Sequence, residues 1–110
     1  MAKYEKQVRG DFDAILRRLH DAVLHGSMSA SYEDGSDYRD GEFCCAVRVY
    51  ERYSFSGSNR VSMAVTLAGS RGNYLLSAIT SGGSQGMFFK LNTWGEETFL
   101  QTIADVVDSL

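Results

Sequence analysis

Proline is absent from the 110 residues, so glycine, serine, asparagine and aspartate must make every turn. Cysteine occurs only as the adjacent pair Cys44 and Cys45. A bond between neighbours would need a strained eight-membered ring, which excludes a disulfide framework. No apolar run approaches the length of a membrane span. Met1–Gly10 is charged and has no apolar core of the kind a signal peptide carries. The expectation is therefore a cytoplasmic chain that makes no membrane contact. Nor is there an excess of basic charge. Eleven Lys and Arg face fourteen Asp and Glu, a formal net charge of −3, which argues against a nucleic-acid partner.

What is present is an ordinary globular composition, 44% hydrophobic and 23% charged, in a length that suits one domain spanning residues 1–110. Residues 3 to 9 alternate, with Tyr4, Lys6 and Val8 on one face, and read as a short edge strand. From Asp11 the period becomes helical: Phe12, Ile15, Leu16, Leu19, Ala22 and Val23 form a stripe. Gly10 or Asp11 caps its start, and Gly26 supplies a left-handed stop. Four strands follow, over Ser27–Asp34, Glu42–Phe55, Arg60–Gly69 and Asn73–Ser81, joined by turns at Gly35–Gly41, Ser56–Asn59 and Ser70–Gly72. In the second of these, Phe43, Cys45, Val47, Val49 and Tyr53 are expected inward, with Cys44, Ala46, Arg48, Tyr50 and Arg52 outward. In the third, Val61, Met63, Val65 and Leu67 point inward. The fourth sorts its two faces less clearly. Met87–Leu91 reads as one more short strand. Thr93 and Glu96 form a capping box, and Phe99, Leu100, Ile103, Val106, Val107 and Leu110 make the apolar stripe of a last helix.

The fold class is thus α+β, an antiparallel sheet of about five strands with two helices on one face, in the order β-α-β-β-β-β-(β)-α. That order resembles the TATA-box-binding-protein-like fold, β-α-β4-α, and also a shortened helix-grip fold. The stretch Ser81-Gly82-Gly83-Ser84-Gln85-Gly86-Met87-Phe88-Phe89-Lys90, leading into Gly95-Glu96-Glu97-Thr98-Phe99-Leu100, resembles a bacterial family of small uncharacterised proteins. The resemblance covers nearly the whole chain. It implies no catalytic residues, because that family brings no established activity with it.

Chemistry-bearing patterns are few. The glycine-rich loop offers Ser81, Gly82, Gly83, Ser84 and Gln85 as candidate ligand-binding residues, since backbone N–H groups in such loops converge on anions. It lacks the Gly-Lys-Ser/Thr of a P-loop, and a plain wide turn is the competing reading. Glu33–Glu42 holds five carboxylates, but Tyr38 and Arg39 break the alternation of oxygen ligands that a calcium loop needs. His20 and His25 are five apart and share no helix face, so no metal site is expected, nor any cofactor or catalytic residue. The remaining pattern is a sheet face carrying Arg48, Tyr50, Arg52, Ser62, Ala64 and Thr66 as candidate interface residues. On this reading the chain is a non-catalytic module that binds or self-associates through that face, with a homodimer as the expected assembly. The alternative is a carrier of a small ligand, held between sheet and helices or at loop 81–86.

Overall fold

The computed structural model describes residues 2–26, 30–53, 60–82 and 89–110, with residues 53 and 89–98 described by their backbone alone. The elements are β1 (Ala2–Arg9), α1 (Phe12–Gly26), β2 (Ser31–Asp40), β3 (Phe43–Tyr53), β4 (Arg60–Ser70), β5 (Asn73–Gly82) and α2 (Phe89–Asp108). The strands form one antiparallel sheet in the order β1-β5-β4-β3-β2, so β4 is its middle strand and β1 and β2 are its edges. The α+β class and the two-helix, five-strand plan are as the alternation and periodicity predict.

Local chemistry explains the boundaries. Asp11 Oδ2 accepts the Ala14 N–H at 2.9 Å, which caps the first turn of α1. Two-residue turns close the hairpins β2–β3 and β4–β5. Gly41 stands at φ +59°, and Arg71 and Gly72 at +56° and +80°, conformations that match the right-handed twist of the flanking strands. The β4–β5 turn is also tied down, because Gly10 donates its N–H to the Gly72 carbonyl at 3.0 Å.

Both helices lie on one face. From α1, Phe12, Ile15, Leu19 and Val23 are buried; from α2, Phe99, Leu100, Ile103 and Val107. They meet Val61, Met63, Val65 and Leu67 of β4, and Tyr74, Leu76 and Ala78 of β5. Each such aliphatic side chain contributes roughly 1.5–3 kcal/mol when fully buried, so this layer is the source of stability. The Phe12 ring meets Tyr74 edge-on at 5.2 Å.

Several expectations are corrected. The strand placed at Ser27–Asp34 begins at Ser31 and runs to Asp40, absorbing most of the expected Gly35–Gly41 turn, which shrinks to Gly41 and Glu42. Cross-strand pairing with β3 holds those polar residues extended despite their turn-like composition. Gly26 is the last residue of α1 and does not take a positive φ. Its smallness serves another purpose: a Cβ there would lie 2.9 Å from Thr102 Cγ2 of α2. The last helix starts at Phe89, so residues 89–91 are helical rather than extended, and Thr93 and Glu96 lie inside α2 rather than at its cap. A short apolar run such as 87–91 fits either structure, and length arbitrates for the helix. Residues 87 and 88 lie outside the described residues.

The largest correction concerns β3. Cys44, Ala46 and Tyr50 are buried under the helices, with Arg48 and Arg52 on the same side, while Cys45, Val47 and Val49 face away. The expected alternation was one residue out of phase, which exchanges the two faces of a strand completely.

Candidate functional site

Two places gather side chains with chemical potential, one on each side of β3. On the helix side, α1 sets His20 against β3, where its Nδ1 lies 2.9 Å from the Tyr50 hydroxyl. Tyr32 of β2 packs against both rings, with centroid distances of 5.4 Å to His20 and 5.8 Å to Tyr50. Burial pushes the Tyr50 hydroxyl up to about 12, and the nearby Arg48 charge only partly offsets this. Arg48 in turn donates to Asp37 Oδ1 at 2.7 Å. That hydrogen bond holds the Asp37 carboxyl below its ordinary range and raises the Arg48 guanidinium. Arg52 lies with its guanidinium 4.6 Å from the centre of the Phe99 ring, and burial pulls its pKa down. Asp13, Leu16, Arg17, His20, Tyr32 and Arg48 border a shallow open groove of about 460 Å³ between α1 and the β2–β3 edge. Arg48 is already engaged by Asp37, so its charge is largely spent within the fold.

The opposite side is a sheet face that neither helix covers. Leu75 and Ile79 of β5 and Phe43 of β3 are 44%, 40% and 40% exposed there, and Tyr38 of β2 is 60% exposed. Between them lie Cys45, Val47, Val49, Ala64 and Ala68, all half-buried by their own neighbours. Cross-strand register aligns Lys3, Ile79, Ala64, Val49 and Asp34 in one row across the sheet. A bulge between Tyr32 and Asp34 sets the outer end of that row. It shifts the alternation of β2 by one residue, so that Asp34, Ser36, Tyr38 and Asp40 join the open face while Tyr32 stays with the helices. The edges of the sheet are blunted by charge, with Lys3, Glu5 and Lys6 on β1 and Asp34, Asp37, Arg39 and Asp40 on β2. The face is not.

The candidate interface residues divide between these two places. Ser62, Ala64 and Thr66 lie on the open face as expected. Arg48, Tyr50 and Arg52 do not; they are turned under the helices, because Tyr50 pairs with His20 and Arg52 stacks on Phe99. Of the loop candidates, Ser81 and Gly82 end β5 and pair with Ser62 and Val61, while Gly83, Ser84 and Gln85 lie outside the described residues. Val47, Val49, Leu75 and Ile79 were missed as open-face residues. Their signal was the presence of apolar side chains at both parities of β3 and β5, the pattern of a strand covered on both faces.

Among the described residues, no cluster of His, Cys, Asp or Glu is placed to hold a metal ion, and no helix is long and apolar enough to cross a membrane. No curated protein matches the sequence. One family profile does, over residues 1–110, and by that match the chain belongs to the family of unknown function DUF6054.

Proposed function

We propose that this chain is a non-catalytic binding module that associates with a second copy of itself through the open face of its sheet. The single observation that carries this reading is the uncovered apolar field made by Phe43, Val47, Val49, Leu75 and Ile79. Soluble monomers keep such contiguous patches to a few hundred Å². Five strands about 4.8 Å apart and about eight residues long give a face of roughly 600 Å² per copy, hence roughly 1,200 Å² in a pair. That reaches the lower end of the range for specific interfaces. The small side chains of Ala64, Thr66 and Ala68 along β4 favour another sheet as the occupant, because two sheets pack face to face with their inner side chains interdigitated.

Light scattering on a sizing column tests the reading. The wild-type chain at tens of micromolar runs as a dimer, and Ala64→Glu, which puts a charge at the centre of the face, runs as a folded monomer. A wild type that stays monomeric at that concentration rejects it.

A second reading, a carrier of a small ligand, draws on the groove beside His20, Tyr32 and Arg17. Its ligand would be an anion held by Arg17 and the His20 ring, with Arg48 already engaged by Asp37 and Asp13 at the rim opposing it. Titration with inorganic phosphate, followed on the His20 ring resonances, tests that reading; unmoved resonances at millimolar phosphate reject it.

A further inference from the structure

Resting on the self-association just proposed, we infer that the two copies are related by a twofold axis parallel to β4, so that β1 of each copy lies over β2 of the other. The argument is the distribution of charge along the sheet's rows. The row Lys3–Ile79–Ala64–Val49–Asp34 is basic at its β1 end and acidic at its β2 end. The row two residue pairs from the far hairpin ends repeats the apolar centre with Leu75, Ala68 and Cys45. At the hairpin end itself, Arg9 and Asp40 close the last row with the same polarity: Arg9 aligns with Asn73 and Asp40 with Phe43. The face is therefore cationic at both ends of β1, where Lys3 and Arg9 flank Glu5, and anionic along β2 at Asp34 and Asp40. Glu5 shares its row with the uncharged Ser36, so the four corners carry the polarity across the strands.

Two in-plane twofold axes lay such a face on its copy with the strands of the two sheets aligned. An axis perpendicular to the strands lays β1 over β1 and β2 over β2. Lys3 then meets the partner's Arg9, and Asp34 meets the partner's Asp40, like upon like at all four corners. An axis parallel to β4 reverses each row on itself instead. Lys3 meets the partner's Asp34, Arg9 meets the partner's Asp40, Ile79 lies over the partner's Val49, and Ala64 sits on the axis against its own copy. Ile79 then opposes Val49, Leu75 opposes Cys45 and Ser77 opposes Val47, so a larger side chain meets a smaller one in each row, and the small residues of β4 let the sheets approach. Rim charges of this kind add little affinity but fix register, because the mismatched arrangement is repelled.

Among the described residues, Arg9 and Asp40 have no ion-pair partner within the chain, and Lys3 reaches only Glu5, at 3.8 Å between exposed side chains. Reversing these charges leaves the core untouched. The test uses two variants of the full chain, Lys3→Asp/Arg9→Asp and Asp34→Lys/Asp40→Lys, compared with wild type by sedimentation equilibrium at low salt, with circular dichroism to verify folding. Each variant alone dimerises at least tenfold more weakly than wild type, because both corner pairs become like-charged. An equimolar mixture of the two recovers dimers, as does one chain carrying all four substitutions, since either combination restores opposite charges at every corner. If wild type dimerises and the mixture does not recover, the parallel axis is wrong while the face reading stands. Variants that dimerise as wild type does overturn the axis equally. A monomeric wild type overturns both.

Discussion

His20 Nδ1 and the Tyr50 hydroxyl stand 2.9 Å apart, and this contact between α1 and β3 accompanies the turn of Tyr50 to the helix side, where it is only 2% exposed. With Tyr50 turned inward, alternation places Val47 and Val49 outward. Tyr50→Phe keeps the ring and removes the bond, so it lowers stability by about 1 kcal/mol in urea denaturation. A variant as stable as wild type would show that the bond contributes nothing to the choice of face.

The same hydroxyl gives a pH dependence. Its value is raised from 10 to about 12, so folding favours the neutral phenol. That contribution is complete below about pH 10 and is lost as pH rises from there towards 12, for a total of about 2–3 kcal/mol. Tyr50→Phe lacks this loss. The stability advantage of wild type at pH 9 therefore shrinks or reverses by pH 11.5, and a constant difference between the two proteins would refute the assignment.

Gly26 and Thr102 make a second close contact, this time between the helices. Gly26→Ala improves helix propensity yet forces its new methyl into Thr102 Cγ2, for a net loss of about 1 kcal/mol. Thr102→Ser removes that methyl carbon and relieves the clash, so the double variant is more stable than the sum of the two singles by at least about 0.5 kcal/mol. Simple additivity would mean that the helices have room to part.

The two cysteines report on the two faces. Cys44 is buried, with its Sγ 3.2 Å from a guanidinium nitrogen of Arg39, whereas Cys45 lies half-buried on the open face. Alkylation of the native chain modifies Cys45 first, and the reaction slows as protein concentration rises. Mass-spectrometric mapping that finds Cys44 modified first would place β3 in the opposite phase.

The sequence was informative where polar and apolar residues separate. Phe12, Ile15, Leu19 and Val23 mark one face of α1, and Val61, Met63, Val65 and Leu67 mark one face of β4; both faces are buried as the periodicity predicts. It was ambiguous where both parities are apolar. In Phe43–Tyr50 either set of alternate residues makes a plausible core face, and the valines are the more hydrophobic choice. Tertiary contacts decided otherwise, through a histidine thirty residues earlier and a phenylalanine on the last helix that favour tyrosine and arginine inward. The bulge at Tyr32–Asp34 was equally invisible, because composition does not announce an extra residue in an acidic edge strand. Of the six candidate interface residues, Ser62, Ala64 and Thr66 therefore lie on the open face and Arg48, Tyr50 and Arg52 beneath the helices.

The most direct test of self-association through the open face is a methyl-resolved NMR dilution series on the wild-type chain. If that face is buried between copies, the methyl resonances of Val47, Val49, Leu75 and Ile79 move with concentration, while those of Val61, Leu67 and Ile103, sealed beneath the helices, stay fixed. Resonances of the first group that do not move between micromolar and millimolar protein, or movement confined to residues of α1 and α2, would contradict it.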